Sequence, residues 1–433
     1  MSLVRNTSIT IVGRWIAIAA AALTGMVIAN TMGAKGAGIF AMVRVFPAVV
    51  AGLLGAGITN ANPYFIGARK HPVQAVTETT VALGLILGGI GWGGWLLAGE
   101  LLHAHFYSEL SSSAVQLVGL SILLNMLRDY LNSIQQGLLT FGEATAVLTM
   151  DDVGSLVLVL PLLRGVDNGN QLIVLSAVGG VAMSVVTAAV FLLRKGIRPW
   201  PRLHPRLAWE SIRFGLRGHV GKLANMLNWR LDVMILSALA STEVVGYYAV
   251  ASKLAELFRP LSASLTFVLR PVIASLPITE ARARGVMLYR RVFLINLAAI
   301  VLMALTGKML IIRLFGPEFI AAVPAFYILL VGLAAHGADG VLNGYNVGIG
   351  RPEYNTYTAL AGLVITLIGD VLFIPTYSLI AAAVTSSVAY TVKALTFTIV
   401  FLVTSGVTLP QLVGTQEYNP EPYSPEEYSP GPA

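Results

Sequence analysis

The chain has 433 residues, of which 56% are hydrophobic and 11% charged, with a formal net charge of +7 and no cysteine. A soluble domain has about a quarter of its residues charged, so this composition excludes an ordinary soluble protein and indicates a polytopic membrane protein. The lack of cysteine excludes disulfides and thiolate chemistry, and the six histidines are scattered without metal-ligand spacing, so no metal site is expected.

Hydropathy, interrupted by Gly, Pro and charged residues, predicts twelve helical spans: 9–31, 38–66, 73–98, 114–136, 143–163, 171–193, 218–239, 246–275, 286–306, 319–349, 354–374 and 378–403. About 20 helical residues cross a bilayer core of roughly 30 Å. The first span opens "IVGRWIAIAAAALTG" and carries Arg14 a few residues inside it. An ionised side chain near hydrocarbon costs at least roughly 2.5 kcal/mol, so Arg14 needs a neighbour, an aqueous cavity or a route to the interface. Spans two, eight and ten are overlong, and Pro47, Pro260 and Pro324 are the expected kinks. The end of the chain, "QEYNPEPYSPEEYSPGPA", is rich in Pro, Glu and Tyr and is expected to be disordered.

Lys and Arg favour cytoplasmic loops. With the N-terminus inside, fifteen of them fall in inner segments, seven in the stretch 194–217, against Lys35, Arg164, Lys308 and Arg313 outside. Both termini are therefore expected in the cytoplasm. The positive charge describes topology; no nucleic-acid partner is expected, and the basic middle loop suits anionic lipid headgroups.

The chain repeats itself. At an offset of 208, Val12, Gly13 and Arg14 fall on Val220, Gly221 and Lys222, and Gly38 to Ala41 fall on Gly246 to Ala249. At 210, Asp129, Gln136 and Glu143 fall on Asp339, Asn346 and Glu353. The expectation is an all-α fold of two parallel six-helix repeats around a central cavity, with the first run a repeat member rather than a cleaved signal. The division is 1–195 and 218–403 for the bundles, 196–217 for a basic cytoplasmic linker and 404–433 for a cytoplasmic tail.

Nine basic and eight acidic residues fall within the spans, and their distribution is uneven. Spans one, two, seven and eight hold Arg14, Arg44, Lys222, Arg230, Lys253, Arg259 and Arg270 against only Asp232 and Glu256. If these spans line the cavity, its field is positive and suits an anionic passenger. Arg14, Lys222 and Arg270 lie near span ends, where snorkelling to the interface is the competing reading. Arg230 and Asp232 point to different faces and are expected to partner other helices. Arg128 is expected to pair with Asp151 or Asp152 as structural glue. Asp129, Asp339 and Asp370 are the candidates for a proton or sodium site. No nucleotide-binding or hydrolytic motif appears, which favours a secondary carrier over a pump or enzyme, coupled to a proton or sodium gradient or to the membrane potential.

"MGAKGAGIFAMVRVFPAVVAGLLGAGITNANPYFIGARK" resembles the signature of the first two helices of polysaccharide biosynthesis (O-antigen, Wzx-type) flippases in the multidrug/oligosaccharidyl-lipid/polysaccharide exporter superfamily. "NWRLDVMILSALASTEVVGYYAVASKLAEL" resembles their seventh and eighth helices, and "LFGPEFIAAVPAFYILL" and "NVGIGRPE" the segments around the tenth. The resemblance covers about residues 5 to 400. It implies a non-enzymatic protein of the cytoplasmic membrane with a V-shaped cavity between the halves. Its passenger is a polyprenyl diphosphate-linked oligosaccharide, carried to the outer leaflet by alternating access, with polysaccharide polymerase machinery as a partner. Arg14, Arg44, Lys222, Lys253 and Arg259 are the expected diphosphate ligands, since Arg contacts phosphate oxygens in bidentate fashion. A lipid II flippase and an ion-coupled multidrug antiporter of the same superfamily remain as alternatives. The antiporter is expected to have an acidic cavity.

Overall fold

The computed structural model describes residues 3–165, 168–258, 273 and 276–416. Among these, every regular element is helical, as hydrocarbon requires of a chain that must satisfy its own backbone N–H and C=O groups. α1 (Leu3–Leu54) holds the first expected span and most of the second, and its helical geometry is broken at Gly33 (φ 66°, ψ −166°). A Cβ on Gly36 would lie 3.2 Å from the Ile28 side chain, yet eight residues of straight helix span about 12 Å. The chain therefore folds back at Gly33, where only glycine takes positive φ without steric cost.

The first half continues through α2 (Ile58–Gly67), α3 (Val73–Leu97), the short α4 (Gly99–His105), α5 (Ser112–Gly137), α6 (Phe141–Val159) and α7 (Gly169–Arg194). The second half comprises α8 (Pro205–Leu227), α9 (Leu231–Leu239), α10 (Thr242–Ala255), α11 (Ile278–Phe315), α12 (Val323–His336), α13 (Asp339–Gly348), α14 (Glu353–Ser405) and α15 (Leu409–Val413). α14 repeats the device of α1: it turns at Ser378 (φ 48°), and Thr385 donates to Asp370 across the fold.

Eight helical runs among the described residues are long and apolar enough to cross a membrane. α1 and α14 account for two expected spans each. The seventh expected span is divided at residues 228–230, between α8 and α9, and the eighth starts as α10 and continues outside the described residues. Among the described residues, the breaks fall at neither Pro47 nor Pro324. Pro47 sits inside α1, and the second span breaks beyond it, where Ala56 and Gly57 take positive φ. Pro324 occupies the first turn of α12, where its missing N–H has no helical partner to lose; the tenth span breaks at residues 337–338 instead. Pro260 lies outside the described residues. The basic connection between the halves is non-helical only to His204, since α8 starts with proline at its first position. Residues 417–433 of the expected tail lie outside the described set.

The halves meet through a reciprocal contact. A Cβ on Gly38 would come 2.0 Å from the Thr242 carbonyl oxygen, and one on Gly246 would come 1.9 Å from that of Ala34. Gly246 follows Gly38, and Thr242 follows Ala34, by the same 208 residues. Residue i touching j′ while j touches i′ is what a two-fold relation demands. Nearby, Lys35 pairs with Glu109 at 2.7 Å, and Glu318 accepts from the Ala34 N–H at 2.8 Å. From residue 34 to residue 54, α1 runs about 30 Å at 1.5 Å per residue. Beyond that end a second pinch forms, where a Cβ on Gly57 would lie 2.1 Å from the Gly215 carbonyl oxygen.

A candidate substrate cavity

Between the two pinches lies a cavity of about 370 Å³, within the roughly 300–1,000 Å³ range of small-molecule sites. The first half supplies Arg44 from α1, Arg128 from α5, and Asp151 and Asp152 from α6. The second half supplies Arg230, just before α9, and Lys253 from α10. Small residues such as Ala41, Ala48, Ala177 and Ala249 line the remaining wall and leave the space open.

The cations divide into two kinds. The Arg44 guanidinium lies 3.2 Å from both Asp151 and Asp152. Arg128 bonds Asp151 at 2.6 Å and Asp129 at 2.9 Å. These pairs hold α1, α5 and α6 together, and the carboxylates offset much of the charge. Arg230 and Lys253 make no ion pair among the described residues. Lys253 is exposed to the cavity, and its Nζ sits 5.3 Å from the centre of the Phe40 ring. Arg44 flanks the same ring at 5.7 Å, within the roughly 6 Å reach of a cation–π contact.

A second, apolar slot of about 80 Å³ opens beside the first, between α1, α10 and the end of α11. Gly25, Ile28, Phe40, Val250, Leu254 and Phe315 are among its walls, and Ala21, Ala41, Ala249 and Lys253 belong to both spaces. Lys253 thus stands where a charged chamber meets a greasy one.

Of the sequence candidates, Arg44 and Lys253 line the cavity, whereas Arg14 and Lys222 are exposed side chains that do not. Lys222 donates to Thr59 at 2.7 Å. Arg259 and Arg270 lie outside the described residues. The cavity also draws on the fourth, fifth and sixth spans, which the charge count had set apart from it. Arg128 makes the expected pair with Asp151 and is a cavity wall as well. Arg230, expected to partner another helix, instead makes no ion pair among the described residues and lines the cavity; it stands in "NWR", where the seventh helix breaks.

The three candidate acids lie in different surroundings. Asp129 is paired with Arg128, and Asp339 stands 2.5 Å from His336. Asp370 is fully buried; its Oδ1 accepts from Thr385, and its Oδ2 has no hydrogen-bond partner among the described residues. Close to it, the buried Asp232 accepts from Tyr248, from the Val233 N–H at 2.7 Å and from Ser386 at 3.2 Å. Ser386 follows Thr385 in the chain, so one turn of α14 holds both carboxylates. Neither acid has a basic partner within ion-pair distance among the described residues.

Membrane-length helices in two related halves, pinched together at two levels around a charged cavity, define a polytopic membrane protein. The chain belongs to the polysaccharide biosynthesis protein family, whose sequence profile matches residues 3–276. An uncharacterized membrane protein of Methanocaldococcus jannaschii is 26% identical over 227 residues, covering 48% of this chain and 44% of that protein. The chain thus matches less than half the length of that relative. Among solved structures, the lipid II flippase MurJ in an inward closed conformation superposes with a TM-score of 0.75 at 13% identity, covering 93% of this chain and 88% of that one. An inward-facing multidrug resistance MATE family transporter of the MOP superfamily gives 0.73 at 16%, covering 92% and 98%. A MOP superfamily transporter from Pyrococcus furiosus, described as having a binding pocket of reverse polarity, gives 0.61 at 15%, covering 94% and 95%. The chain shares the fold of these three structures.

Proposed function

We propose that the protein moves a polyprenyl diphosphate-linked oligosaccharide from the inner to the outer leaflet of the cytoplasmic membrane by alternating access, supplying polysaccharide polymerase machinery for cell-surface polysaccharide. Both termini are cytoplasmic in this reading, as the distribution of Lys and Arg requires. The observation that carries it is the meeting of the cationic cavity and the apolar slot at Lys253. A lipid diphosphate has the matching anatomy: a dense anion between a hydrocarbon chain and a hydrated glycan. Arg230 and Lys253 take the diphosphate, Arg44 and Arg128 orient it through their remaining N–H groups, and the glycan fills the polar chamber. A cation-exporting relative needs the opposite charge in this place, and family membership in polysaccharide biosynthesis agrees with the anion. No residue set for bond breaking is invoked; the protein acts as a carrier.

The coupling ion, a proton or sodium, is assigned to Asp370 with Asp232 beside it. A carboxylate oxygen without a donor, buried next to a second acid, favours an added cation. Asp129 and Asp339 already have basic neighbours and are left out of this role.

The test uses purified protein in proteoliposomes with a short-chain polyprenyl diphosphate-linked glycan. Translocation above protein-free vesicles is expected, with none for the same glycan on an uncharged prenyl chain. In Asp370→Asn the rate is expected to lose its response to an imposed proton or sodium gradient. Transport of a quaternary ammonium drug with no movement of the diphosphate lipid overturns the proposal.

A further inference from the structure

The connection between the halves presents a surface that the cavity does not use. Gln74 donates to the Arg198 carbonyl at 2.8 Å and accepts from the Arg198 N–H at 3.0 Å. The Arg202 N–H donates to the Glu78 carbonyl at 3.3 Å, and His204 meets the Glu78 carboxylate at 3.0 Å. Residues 198–204 are thus sewn by their backbone to the start of α3, with side chains left facing outward: Trp200 is 68% exposed and Leu203 44%.

α8 continues the same surface. Its Leu207, Ala208, Ser211, Gly215 and His219 are buried. Its other face exposes Arg206, Trp209, Arg213, Leu216 and Arg217 at steps of three and four, with Trp209 66% and Leu216 50% exposed. Glu210 is the sole acid from 196 to 231 in the sequence, and it pairs with His71 at 2.9 Å. Among the described residues, none of the guanidinium groups of Arg198, Arg202, Arg206, Arg213 and Arg217 makes an ion pair.

Two exposed indoles and two leucines are poorly placed in water, and five unpaired guanidinium groups are poorly placed in hydrocarbon. The layer that suits both is the boundary between headgroups and acyl chains, where Trp rings sit and Arg reaches outward to phosphate. α8 leads directly into the seventh span, so its outward face must cross that layer. We propose that residues 198–217 form a binding surface for the anionic phospholipid headgroups of the leaflet it meets, with Trp200 and Trp209 seated at the boundary and the five arginines on the phosphates. The surface is separate from the transport cavity, so this inference stands or falls independently of the passenger.

The experiment reconstitutes the full chain in nanodiscs containing brominated phosphatidylglycerol or brominated phosphatidylcholine and follows tryptophan quenching. The difference between wild type and the double variant Trp200→Phe, Trp209→Phe isolates these two indoles. Wild type is expected to need a several-fold lower mole fraction of the anionic lipid for half quenching. That preference should shrink as salt rises from 0.05 to 0.5 M, since the screening length falls from more than about 10 Å toward about 3 Å. In Arg206→Gln, Arg213→Gln, Arg217→Gln the preference is expected to approach unity while the protein stays monodisperse. If that variant does not fold, the wild-type preference and its salt dependence decide the matter. Equal quenching by both lipids, or a preference indifferent to salt, overturns the proposal. So does a protein partner that shields these indoles from both lipids in native membranes.

Discussion

Replacing Lys253 by Gln removes a cavity cation that has no carboxylate partner among the described residues, while keeping a polar side chain only one atom shorter. At 4 Å and an effective dielectric constant of 20, one pair of unit charges is worth about 4 kcal/mol. Lys253 is exposed to the cavity, so water screens that figure, and the net value of a hydrogen bond to a charged group is about 1.5–3 kcal/mol. At 1.4 kcal/mol per decade, this is a loss of roughly 10- to 150-fold in affinity for the diphosphate. The assay is competition by unlabelled polyprenyl diphosphate in proteoliposome flipping, with protein amount and orientation matched. Lys253→Arg should retain most of the affinity, because it restores the charge, and Lys253→Glu should abolish transport. An affinity within twofold of wild type in Lys253→Gln refutes the placement of the diphosphate.

Arg128→Gln leaves the buried Asp151 with Arg44 alone; breaking a buried pair costs about 3 kcal/mol or more, so thermal unfolding of the purified protein should show a clear drop in melting temperature, and an unchanged melting curve contradicts the role given to this pair. Gly246→Val drives a side chain into the Ala34 carbonyl, where even a Cβ would lie 1.9 Å away. An overpacking cost of about 1–3 kcal/mol set against the pinched state shifts the open-to-closed ratio by about 5- to 150-fold. Ala249→Cys, placed on the cavity wall of a chain that has no cysteine, should then react faster with a membrane-impermeant maleimide, and an unaltered rate counts against that gate.

The helices and their pairing were legible because hydrocarbon leaves an apolar chain few options, and the 208-residue repeat reappears as the reciprocal contact of Gly38 and Gly246. The same repeat equates Arg14 with Lys222 but says nothing about where either side chain points, and both lie away from the cavity. Arg44 and Lys253 were found because each is an uneconomical charge deep in an apolar span. Arg128 was read as a structural partner of Asp151, which it is; the sequence could not show that the pair also borders a void, because voids arise from packing between helices distant in the chain. Pro47 and Pro324 did not mark the break points. The chain bends where Gly33, Gly57 and Ser378 take positive φ, a property that composition does not display. Asp370 stood out among the three acids only once Thr385 was seen across the fold, with the second carboxylate oxygen left without a donor.

The central claim concerns one location, the meeting of the polar cavity and the apolar slot. Cryo-electron microscopy of the protein with a bound short-chain polyprenyl diphosphate tests it most directly. The phosphorus density is expected within about 4 Å of the Lys253 ammonium or the Arg230 guanidinium, at ion-pair contact range, with the first prenyl units against Phe40 and Leu254. Density resting on Arg14 or Lys222 instead, with the cavity beside Lys253 filled by water, contradicts the account.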